Sequence, residues 1–170
     1  MTDVMHVNPA TVFCRALRQL SAMLDKTGTA PQLLAARLHP DMLPFAQQVR
    51  AAVSFSLRGC CPLADLDVAD FTGAATLQEQ IAQTVCYLKA IPVERFDGSP
   101  DRLCRDRAGF ADIALPADEY LNLYILPNFY FHFSMAYAIA RSAGAAIGKG
   151  DFDGYHAYAP GFSFERPAAP

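Results

Sequence analysis

Several signatures are missing from this chain, and each absence removes a class of function. Its five cysteines include no CxxC pair, and Cys60 and Cys61 are adjacent, so neither a disulfide framework nor a structural zinc site is expected. Such thiols fit a reducing cytoplasm. Positive charge is not in excess: 14 Lys and Arg stand against 17 Asp and Glu. That balance cannot release counterions from a phosphate backbone, and no nucleic-acid partner is expected. The opening MTDVMHVNPA has neither a basic n-region nor an apolar h-region, so a secretory signal is not expected. Gly148 and Gly150 lack the third glycine and preceding strand of a dinucleotide fold, and no G-x-x-x-x-G-K-[ST] or G-x-S-x-G is present. Asp151, Asp153 and Gly154 make only a fragment of a calcium loop, without the fifth-position ligand or closing Glu, so a surface turn is expected. Charged residues are 18% of the chain against 52% hydrophobic. Some apolar surface should remain after folding, which predicts a homodimer.

What is present is helical periodicity. With 170 residues the chain has the length of one domain. Phe13, Leu17, Leu20 and Leu24 recur at helical spacing, with Asn8 as N-cap, Pro9 at the first helical position and Gly28 as stop, predicting a helix over 9–25. Leu33, Leu34 and Leu38 predict a short helical piece seated on the bundle. A second long helix is predicted over 41–58, capped by Asp41, with the stripe Phe45, Gln48, Ala52 and Phe55. Residues 59–73 read as a connection. Thr76 and Glu79 form a capping box for a helix over 76–91, whose apolar face is Leu77, Ile81, Val85 and Leu88; Cys86 beside them reads as core. Turn residues at Asp97-Gly98, Ser99-Pro100 and Ala108-Gly109 surround two short candidate strands near Leu103 and Ile113, consistent with a hairpin.

The most informative stretch is Tyr120–Ala140, which has no charged side chain yet holds Pro127, Asn128 and His132. Its length would cross a bilayer. Asn122, Asn128 and His132 are costly in lipid, and Lys or Arg do not cluster at its ends, so it reads as the fourth helix of a bundle rather than a span. Asp118 is its expected cap, Pro127 its expected kink and Gly144 its expected stop. The expected organisation is an all-α four-helix bundle over 1–155, with a short hairpin between the third and fourth helices and a Pro/Ala-rich tail over 156–170. Asn128 and His132 stand four apart on one face. With Gln48 they form a candidate polar cluster inside the bundle.

Three segments carry a family resemblance: RLHPDMLPFAQQV at 37–49, PNFYFH at 127–132 followed by AYAIARSAG, and IGKGDF at 147–152. They resemble an uncharacterised bacterial domain-of-unknown-function family marked by R-L-x-x-D-M, P-N-F-Y-F-H and G-K-x-D-[FY], over about Phe13 to Phe152. That family is similar to the DinB/YfiT-like metalloenzyme superfamily of four-helix bundles, often dimeric, in which three histidines hold a metal. By that resemblance His132 matches the second histidine of an H-x-x-x-H pair, Asn128 stands in place of the first, and Gln48 in place of the helix-two ligand. Amides are poor ligands for zinc or nickel, so no metal is expected unless through His132. The implied function is binding of a small polar molecule by Gln48, Asn128, His132, Tyr130 and His39, with His132 the best candidate base. A structural or dimerisation module without ligand is one alternative. A metal-dependent transferase or hydrolase, using His132 with His39 or His156, is another.

Overall fold

The computed structural model describes residues 8–97, 102–159 and 162–163. Of the predicted turns, Gly98–Pro100 lies outside these residues, as do 160–161 and 164–170 of the predicted tail. Four long helices are present among the described residues: α1 (Pro9–Thr27), α3 (Phe45–Leu63), α4 (Leu77–Ala90) and α6 (Leu126–Ser142). The short α2 (Pro31–Ala35) precedes α3, and α7 (Lys149–Asp153) follows α6. The fold is not purely helical. Strands β1 (Leu103–Ala108) and β2 (Ala111–Pro116) pair antiparallel, Cys104 opposite Leu115, about a turn in which Gly109 has φ 62°. No described helix is long and apolar enough to cross a membrane.

Local sequence accounts for most boundaries. Asn8 accepts a bond from the Ala10 amide at 2.9 Å, and Gly28 ends α1 at φ 70°. Thr76 accepts from Glu79 N at 3.0 Å, while the Glu79 carboxylate reaches back to Ala75 N at 2.9 Å. Phe13, Leu17, Leu20 and Leu24 are fully buried, as are Phe45 and Ala52. Apolar burial of this kind supplies most of the driving force for helix packing.

Five expectations need correction. Asp41 does not cap α3; it pairs with His39 in a turn, and Pro44 stands at the N-cap. The predicted break at 59 is absent, and α3 runs on to Leu63 with Pro62 inside its last turn. Asp118 lies within the first turn of α5 (Ala117–Glu119), with Pro116 at the N-cap. Cys86 is exposed, because α4 turns Ile81, Thr84 and Leu88 inward instead. Leu38 remains 43% exposed.

The α3 extension is made possible by its neighbour. Proline at 62 has no N–H, so the carbonyl of Arg58 loses its intrahelical donor. The hydroxyl of the fully buried Tyr120 lies 3.0 Å from that carbonyl and donates to it. Close approach is required. A Cβ on Gly59 would fall 2.6 Å from Ile125 Cγ2 and 3.1 Å from the Phe13 ring, so glycine is what lets these two side chains pack directly on the α3 backbone.

Tyr120–Ile125 is a π-helical stretch, and Leu126 N bonds to Leu121 O before α6 begins. Pro127 comes just after that stretch, with Ile125 and Leu126 already helical, so its missing N–H withholds a backbone donor from a carbonyl one turn earlier. At the expected kink the helix is unbroken, and its hydrogen-bond pattern changes from π to α. α3 packs along α6, and α1 lies against α4, α3 and α7.

Tyr120→Phe should destabilise the protein by about 1–3 kcal/mol, since it leaves the Arg58 carbonyl without a donor. In a Pro62→Ala background the restored amide can make that bond, and the Tyr120→Phe cost should shrink. Urea denaturation of all four proteins measures the coupling; additive costs would contradict the assignment.

Candidate functional site

Gln48 and His132 meet where α3 crosses α6. Gln48 is 2% exposed; its Nε2 donates to Leu43 O at 3.2 Å, and its Oε1 lies 2.7 Å from His132 Nδ1. The Leu43 carbonyl can only accept, which orients the amide and points its oxygen at the imidazole. The proton therefore resides on Nδ1, and the lone pair of the neutral ring is on Nε2. The half-buried ring stacks on Phe55 at 5.5 Å and 22°, with Phe131 at its edge. Burial, and then the charge of Arg58, lowers the His132 pKa below the usual 6.5, so the neutral form dominates at neutral pH.

Asn128 lies one turn before His132 and is half-buried. Its Nδ2 donates to Tyr124 O at 2.7 Å, an engagement along its own helix rather than with Gln48. Tyr130 is 38% exposed and packs edge-on against Phe129. It borders a separate cavity of about 480 Å³ with Arg15, Phe152 and Tyr155. His39 is on the surface with Asp41, and His156 pairs with Asp153.

A second polar group, beyond the sequence reading, adjoins the first through Phe55. The Arg58 guanidinium lies 4.3 Å over the Phe55 ring. Arg58 Nε donates to Asp106 Oδ2 at 2.9 Å, and its Nη2 donates to the Tyr124 hydroxyl at 2.7 Å. Tyr120 Oη lies 3.1 Å from the same Asp106 oxygen. Its single proton is thus shared between that carboxylate and the Arg58 carbonyl. Burial, and the Asp106 charge beside it, push the Tyr120 pKa far up. The sequence held one clue: Pro62 must orphan the Arg58 carbonyl. Nothing in the spacing of Asp106 pointed to Arg58, 48 residues away.

The donor set does not fit a zinc or nickel centre of three imidazoles. Two of its three positions are amides, and both amides have internal partners. Among the described residues no three His, Cys, Asp or Glu side chains are grouped to hold a metal. The imidazole lone pair and the half-buried ring face are instead suited to hydrogen bonding and stacking.

The profile of a family described as "Domain of unknown function (DUF1993)" matches residues 5–153. The chain belongs to this family. The fold of this DUF1993 chain is similar to that of a DinB family member protein from Shewanella denitrificans, whose crystal structure at 1.83 Å resolution superposes with a TM-score of 0.71. It is 25% identical, and the match covers 88% of this chain and 92% of that one. No curated protein matches the sequence.

The three segments behind the resemblance have structural roles in this DUF1993 chain. Arg37 Nη1 donates to Met42 O at 2.6 Å, closing the turn before α3. Phe129 fills the core against Phe13 at 5.0 Å, and His132 meets Gln48. Asp151 accepts from Gly148 N at 2.7 Å and pairs with Lys26 at 2.5 Å, while Phe152 stacks on Phe133 at 4.3 Å.

A histidine whose folded pKa is lowered stabilises the fold fully above the unfolded value near 6.5. That contribution is lost as pH falls through and below this value, because the unfolded chain then binds more protons. Unfolding free energy should thus fall more steeply in wild type than in His132→Gln between about pH 7.5 and 5.5. Equal slopes by urea titration would contradict the lowered pKa.

Proposed function

We propose that this DUF1993 protein binds a small polar molecule at the position where the DinB resemblance implies a metal, without using the metal itself. The 2.7 Å contact between Gln48 Oε1 and His132 Nδ1 carries this reading. It fixes a neutral imidazole whose Nε2 can accept from an N–H or O–H donor, next to the Phe55 ring. Phe131 meets the His132 ring edge-on, and Phe55 stacks on its face. A catalytic version of this reading makes His132 Nε2 a general base, since its lowered pKa leaves it unprotonated at neutral pH. Asn128, Tyr130 and His39 are peripheral in either version. The five free thiols support a reducing cytoplasm as the setting.

Elemental analysis of untagged protein purified without chelator should find no stoichiometric zinc or nickel. Saturation-transfer NMR against a library of small polar compounds should give hits that disappear in His132→Gln, with circular dichroism unchanged. Metal present in wild type and absent from His132→Ala would restore a metalloenzyme. Hits that all survive in His132→Gln would leave Gln48–His132 as a structural hydrogen bond.

The proposal includes a homodimer. Leu123 and Phe131, on the π-helical stretch and α6, are 71% and 52% exposed, the kind of apolar surface a second copy covers. Light scattering should give twice the chain mass, and Leu123→Glu combined with Phe131→Glu should give the monomer mass. A monomeric wild type would remove the dimer from the proposal.

A further inference from the structure

A cavity of about 310 Å³ lies between α3, α4 and the 64–76 connection, on the other side of α3 from His132. Its apolar surface comes from Leu57, Val68 and Phe71 among others. Two polar side chains on its lining are incompletely used. Gln80 is 4% exposed, and its Oε1 has no hydrogen-bond partner among the described residues. Native proteins seldom leave such an acceptor unpaired. Arg50 is half-buried and makes no ion pair among the described residues. Asp70, the acid on the same lining, already accepts from Thr72 N at 2.8 Å within the connection. Among the described residues Arg50 is the one cation on this lining, and no carboxylate, Asp70 included, pairs with it.

We propose that this cavity binds a small organic carboxylate with an apolar body and an N–H or O–H donor. Arg50 takes the carboxylate, the Leu57, Val68 and Phe71 surface covers the body, and Gln80 accepts from the donor. A guanidinium binds a carboxylate through paired N–H bonds, which a neutral amide on the ligand cannot reproduce. The volume is at the small end of ligand sites, which suits a ligand of one ring or a branched chain. The site is independent of the Gln48–His132 pair, because it uses the α4 side of α3 rather than the α6 side.

The probe is 4-hydroxyphenylacetate, compared with phenylacetate, which lacks the donor, and 4-hydroxyphenylacetamide, which lacks the charge. Amide shifts of ¹⁵N-labelled full-length protein are followed on titration to millimolar concentrations. The expected result is saturable shifts at Arg50, Phe71 and Gln80, with binding about tenfold weaker for the amide analogue and for Arg50→Gln. Phenylacetate should bind more weakly than 4-hydroxyphenylacetate to wild type but equally to Gln80→Met, whose side chain has similar volume. No shifts at these amides would overturn the site. Equal affinity for the amide analogue would overturn the role of Arg50, and equal affinity of the two acids for wild type would overturn that of Gln80.

Discussion

The rest of the molecule depends on one close approach between α3 and the π-helical stretch at Tyr120–Ile125. Gly59 leaves the space, since a methyl there would collide with Ile125. Pro62 leaves a carbonyl without a donor, and Tyr120 supplies the hydroxyl. Neither element would be satisfied alone. A proline in the last turn of a helix normally costs a hydrogen bond, and a buried tyrosine hydroxyl must find an acceptor. Each need is met by the other. The same contact holds α3 and α6 at the separation at which Gln48 can reach His132, and it brings Asp106 on β1 into the grip of Arg58.

The sequence exposed those features that depend on a single element. The stripe Phe13, Leu17, Leu20 and Leu24 is the buried face of α1, and the box at Thr76 opens α4 where expected. Gln48 stood out as an amide in an apolar seam, and His132 as the lone imidazole of an uncharged helix; the two meet. Features that needed two elements were hidden. Pro62 reads as a stop unless Tyr120 is known to replace its lost donor. Cys86 reads as core unless the rotation of α4 is known. Asp106 lies in a strand whose neighbours give no hint that its charge is neutralised by a helix 48 residues earlier.

Where the resemblance implies imidazoles at three positions, this chain carries the amides Gln48 and Asn128 at two of them. An imidazole presents a lone pair to a cation. An amide presents one donor and one acceptor, and here both groups of Gln48 are engaged, one with the main chain and one with His132. The arrangement selects a single tautomer of His132. It leaves the Nε2 lone pair of His132 as an acceptor on a ring stacked against Phe55.

The segment around α7 has a kinetic meaning. Lys26 and Asp151 are 125 residues apart in sequence, and Phe152 rests on Phe133, so the start of the bundle is fastened to its last long helix by a short stretch near residue 150. Contacts of such long range form slowly, because the loop they close must be ordered before they contribute. During synthesis the helices can collapse on one another before that stretch has left the ribosome, but the clasp cannot close until it does. The five residues of α7 can thus join the structure only after the four long helices have been synthesised.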